Sequence, residues 1–135
     1  MSKRLATGTA LVALLIGLGC AATPGAAAAQ ESPEVGFVLY TKSSSPGTLI
    51  ARWMYGDTYR GPGIAIGGPR EGFAGRYHVR YFYDDGRFSD EYDLVIEDSG
   101  DIYKVTWLVD GEVRALGVGM EVENGLAVGW HRVGN

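Results

Sequence analysis

The sequence predicts an all-β protein in which eight antiparallel strands close into an up-and-down barrel made of two four-strand repeats. Three observations lead there. From Val35 onward the apolar residues fall in short alternating runs with no helical period. Gly, Asp, Pro and Ser punctuate those runs at connections short enough for each strand to pair with the next. One stretch recurs after 54 residues, with Trp53–Ile66 aligning without gaps to Trp107–Met120.

The chain opens with a segment set apart from the rest. Lys3 and Arg4 precede an apolar run from Leu11 to Leu18, and Ala27, Ala28 and Ala29 follow, so residues 1–29 read as a secretory signal peptide cleaved before Gln30. The run is too short to span a bilayer as a helix, and no later segment is a candidate. A periplasmic or secreted location follows. Cys20 offers lipid anchoring as the alternative to a free form, although Gly17 stands where a lipobox places its leucine.

Residues 30–34 form a disordered start, and 35–135 form one barrel domain with repeat units at about 35–83 and 88–133. The predicted strands are Gly36 to Lys42, Thr48 to Tyr55, Thr58 to Ile66 and Phe73 to Asp84, then Arg87 to Glu97, Asp101 to Val109, Glu112 to Met120 and Gly125 to Val133. Asp85-Gly86 and Asp110-Gly111 suit two-residue type I′ turns, and Gly56-Asp57 suits type II′. With no helix to cover it, the apolar face of such a sheet is buried by closure; a two-sheet sandwich is the alternative.

Register follows from the turns. Trp53 is expected opposite Arg60, Leu49 opposite Ile64, Trp107 opposite Arg114 and Tyr103 opposite Val118. The third hairpin places Tyr83 opposite Phe88, Tyr81 opposite Asp90, Val79 opposite Tyr92 and Tyr77 opposite Leu94. Its aromatic side turns inward, and its charged side (Arg76, His78, Arg80, Asp93) faces solvent. Trp53, Arg60, Tyr81, Tyr83, Asp90, Trp107, Arg114 and Trp130 then gather inside one end. Leu49, Ile64, Ile66, Ile96, Val118, Met120 and Leu126 form an aliphatic layer at the other. Glycines 61, 63, 75, 117, 119 and 129 are expected to mark bends that let the barrel curve.

The duplicated Trp–Arg pairs are the most specific chemical signal. Arginine over an indole gains cation–π attraction and keeps donors for an anionic or carbonyl group, so Trp53, Arg60, Trp107, Arg114, Tyr81 and Trp130 are the candidate ligand-binding residues. The plainer alternative has each arginine cap the core at the barrel mouth.

Other chemistry is weakly signalled. His78 and His131 face outward and have no cysteine or third histidine to complete a metal site, so neither metal nor cofactor is expected. The domain beyond residue 29 has no thiol nucleophile, and its carboxylates, Asp90 beside Tyr81 among them, suit salt bridges better than acid–base work; no enzyme is expected. All 16 acidic residues but only 10 of the 12 basic ones lie beyond residue 29, giving a net charge of −6 that disfavours nucleic acid.

Val35–Tyr40, Gly100–Trp107, Gly117–Met120 and Leu126–Trp130 give a pattern that resembles the calycin-like barrels, the group of lipocalins and avidins. It most resembles short exported bacterial proteins often labelled fibronectin-binding. The resemblance implies an eight-stranded barrel with an end-on ligand cavity. Gly36 is followed by Phe37 and Val38 rather than the lipocalin Gly-x-Trp, so no lipocalin ligand carries over. The expected function is an exported non-enzymatic binding protein for a small amphipathic or anionic ligand. Alternatives are an interaction or structural module with a filled core and an extracellular protein partner, or a small barrel enzyme.

Overall fold

The computed structural model describes residues 32–134; the signal segment, Cys20, Gln30 and Asn135 lie outside the described residues. Eight strands follow in order: β1 (Gly36–Lys42), β2 (Leu49–Tyr55), β3 (Tyr59–Ile66), β4 (Gly75–Phe82), β5 (Phe88–Asp98), β6 (Tyr103–Val109), β7 (Glu112–Val122) and β8 (Gly125–Arg132). Each pairs antiparallel with the next, and β1 also pairs with β8, so the sheet closes on itself and the sandwich is excluded. Closure leaves no free edge. Among the described residues no helix is long and apolar enough to cross a membrane.

The turns differ from expectation in ways that reset the register. Asp110 (φ 52°) and Gly111 (φ 81°) form the anticipated two-residue turn, and Val109 faces Glu112. A bulge then follows: Leu108 faces Val113 but Trp107 faces Ala115, leaving Arg114 as the extra residue. The Gly56 turn has three residues, with Tyr55 opposite Tyr59, and the Gly56 N–H bonds the Val35 carbonyl at 2.9 Å, extending the β1–β2 ladder.

A one-residue slip turns every later side chain to the other face. Trp53 therefore faces Gly61 rather than Arg60, and Arg60 lies opposite Met54 on the outer face. Ile64, Ile66, Val118 and Met120, expected inside, are exposed, as is Leu116; Gly61, Gly63 and Ala65 of β3, and Ala115, Gly117 and Gly119 of β7, point inward instead. Offset by 54 residues, the shared pairings are Trp53 with Gly61 and Trp107 with Ala115, large opposite small rather than Trp opposite Arg.

In the β4–β5 hairpin two departures cancel. Tyr83 and Arg87 bracket a three-residue loop with Gly86 at φ 93°, so Phe88 faces Phe82 rather than Tyr83. A bulge then restores Tyr81 opposite Asp90, Val79 opposite Tyr92 and Tyr77 opposite Leu94.

The inward glycines allow close approach. A Cβ on Gly63 would sit 2.6 Å from Cδ1 of Tyr81, and one on Gly61 would collide with the Phe82 carbonyl. Large rings fill the barrel because these positions are empty, and an interior at ordinary protein density has no room for Ile64 or Leu116 as well. The core below them is aliphatic and aromatic, with Leu49, Val79, Leu94, Val105, Leu126 and Val128 essentially inaccessible. Residues 67–74 close the far end. Phe73 is 6% exposed there, its carbonyl accepts from the Tyr77 hydroxyl at 2.8 Å, and Lys42 lies over its ring while donating to the Gly72 carbonyl.

Candidate functional site

The turns at 56–58, 84–86 and 110–111 all fall at one end of the barrel, and there the interior is open. A cavity of about 460 Å³ enters from that end. All three tryptophans of the chain line it, as do Tyr55, Tyr59, Tyr81, Tyr83 and Tyr92. They arrive by strand alternation: Trp53 and Tyr55 from β2, Tyr81 from β4, Tyr92 from β5, Trp107 from β6 and Trp130 from β8.

The rings form two connected walls. On one, Trp53 meets Tyr81 edge-on with centroids 6.2 Å apart and Tyr83 at 5.9 Å, and Tyr81 meets Tyr92 at 6.2 Å. On the other, Trp130 stacks on Tyr55 at 5.3 Å and 20° and tilts against Trp107 at 5.9 Å. Trp53 is fixed by its indole N–H, which reaches the carbonyls of Phe82 at 3.0 Å and Pro62 at 3.2 Å. Gly36 makes room for Trp130, whose indole occupies the space a Cβ would need.

Val38, Tyr81, Trp107 and Ala115 make the buried floor. The Trp107 indole N–H donates to the Tyr81 hydroxyl at 2.8 Å, and that hydroxyl lies 2.5 Å from the hydroxyl of Tyr40, which is wholly inaccessible. Burial pushes both phenols well above their ordinary pKa. Higher in the wall the Tyr92 hydroxyl donates to Asp90 at 2.5 Å; desolvation, then that bond and the adjacent carboxylate charge, raise the Tyr92 pKa.

At the rim, Arg132 holds its guanidinium 4.8 Å from the centre of the Tyr55 ring, so Arg132, Tyr55 and Trp130 form a continuous stack. Arg114 lines the cavity as the bulged residue of β7, with Nη2 3.6 Å from a Glu112 carboxylate oxygen. Two cations against the single carboxylate of Asp90 make the lining net positive.

The structure thus gathers five of the six candidate residues, Trp53, Tyr81, Trp107, Arg114 and Trp130, around one cavity. Arg60 is the exception: the three-residue turn sends it outside, and Trp53 instead neighbours Gly61. Arg114 is present but not opposite Trp107. Sequence reasoning missed Arg132, although it continues the inward series Leu126, Val128, Trp130 along β8. It also missed Tyr59, which only the corrected register brings inside. His78 and His131 lie on the outer face, His78 within 3.7 Å of Glu91 and 3.5 Å of Asp93.

Compared with known proteins, the chain matches no family model, no curated protein and no solved structure.

Proposed function

We propose that this chain is an exported, non-enzymatic binding protein of calycin-like architecture that holds a small, flat, amphipathic anion in the open end of its barrel. The observation that carries the reading is the cavity itself: about 460 Å³, walled by the three tryptophans and edged by Arg114 and Arg132. That volume suits a one- or two-ring molecule. The rings offer faces and edges for stacking, and the rim offers charge-assisted hydrogen bonds to a carboxylate or sulfonate. A solid interior would have favoured an interaction module.

A thermal-shift screen of the domain against aromatic carboxylates and sulfonates tests this. Binding to the native state raises the melting temperature, and compounds that do so should also quench tryptophan fluorescence. Arg114→Ala combined with Arg132→Ala should weaken such binding roughly tenfold or more, and Arg60→Ala should leave it unchanged. No shift from any aromatic acid, or equal binding by the double variant, rejects the reading.

A further inference from the structure

Proton bookkeeping at the cavity floor carries the binding reading further. The Tyr40 and Tyr81 hydroxyls bring two protons, and the 2.5 Å contact between them uses one. Trp107 Nε1 only donates, and it donates to Tyr81. Two arrangements satisfy these contacts. If Tyr81 donated to Tyr40, the Tyr40 proton would be stranded, because Tyr40 is 0% exposed and the other group within reach of its hydroxyl, the Trp107 indole N–H, can only donate. An orphaned buried donor forfeits its full desolvation cost. If Tyr40 donates instead, Tyr81 accepts twice, from Tyr40 and Trp107, and its own proton is released toward the cavity that Tyr81 lines.

We infer that the Tyr81 hydroxyl is a dedicated hydrogen-bond donor at the floor, and that the ligand is a flat anion with an acceptor oxygen, carbonyl or ether, at the end opposite its charge. Both sites on Tyr81 that could accept from a ligand hydroxyl or amine are taken, so the floor selects acceptors and refuses donors. Two incoming hydrogen bonds polarise the phenol and strengthen its outgoing one. This inference rests on the cavity being a ligand site.

A matched pair of probes, 6-acetyl-2-naphthoate and 6-isopropenyl-2-naphthoate, separates the two ideas. They share shape and charge and differ in C=O against C=CH₂. Calorimetric titration should find the acetyl compound bound about tenfold tighter, with the preference lost in Tyr81→Phe and kept in Tyr40→Phe. Equal binding of the two probes by the wild-type domain overturns the donor assignment and leaves the cavity reading intact. A preference absent from wild type but present in Tyr40→Phe also overturns it, since Tyr81 would then have been donating to Tyr40. Binding of neither probe, together with no shift from any aromatic acid in the thermal-shift screen, removes the cavity reading and this inference with it. The wild-type comparison stands whether or not either variant folds.

Discussion

Tyr81 is shared by two partners, and that sharing sets what each partner is worth. Removing the Tyr40 hydroxyl leaves Tyr81 still bonded to Trp107, so Tyr40→Phe should cost about 1 kcal/mol. Trp107→Phe removes both a buried donor and ring volume, and should cost about 2–4 kcal/mol. Because both changes act on one hydroxyl, their sum should exceed the cost of the double variant. Urea unfolding of the two single variants and the double variant measures this; strict additivity would mean that the three side chains do not form one network. Asp85 illustrates the opposite limit. Its carboxylate accepts from the backbone N–H and the side chain of Arg87, which lowers its pKa, yet both groups are exposed at a hairpin tip.

At the scale of the strand, the two register slips have opposite mutational signatures from those a regular hairpin would give. Val118 is 57% exposed, so Val118→Lys should change stability by no more than about 0.5 kcal/mol. Gly63 lies beneath Tyr81, so Gly63→Val should cost about 2–3 kcal/mol or prevent folding. Thermal or chemical melts of the two variants check the assignment, and the reverse ranking would restore the simpler register. The strands themselves were legible in sequence, because alternation and turn residues are local signals, and Asp110-Gly111 was read with its turn type. Facing was not legible for β3 and β7, because one residue of loop length or one bulge reverses it: the loop between Tyr55 and Tyr59 has three residues, and β7 bulges at Arg114. One clue lay in volume. Gly61, Gly63 and Ala65 alternate as regularly as Pro62, Ile64 and Ile66, and only the first set leaves space for Trp53 and Tyr81. The aromatic half of the site survived because its strands, β2, β4, β5, β6 and β8, kept their facing, whereas Arg60 depended on the hairpin that slipped.

For the molecule as a whole, buried tyrosines make alkali the sensitive direction. Tyr40, Tyr77, Tyr81 and Tyr92 all have pKa values raised above the ordinary 10.0 by burial. Below about pH 10 the folded and unfolded chains both keep these protons, and the stabilisation is complete. Above it the unfolded chain releases protons that the folded chain retains. Stability should then fall by about 1.4 kcal/mol per pH unit for each of Tyr40 and Tyr81 until the barrel opens. Unfolding curves at pH 8 to 11, with phenolate absorbance followed alongside, test this; a midpoint that does not fall would contradict it. The hydrogen bonds joining Tyr40, Tyr81 and Trp107 tie β1, β4 and β6, no two of which are neighbours in the ring, across sequence separations of 41 and 26 residues. No local fraying exposes such a tie. The indole hydrogen of Trp107 should therefore exchange with deuterium only when the entire ring comes apart, and that of half-buried Trp53, at the mouth, should exchange sooner. One pair of NMR signals would then time the breathing of the rim against the rupture of the barrel.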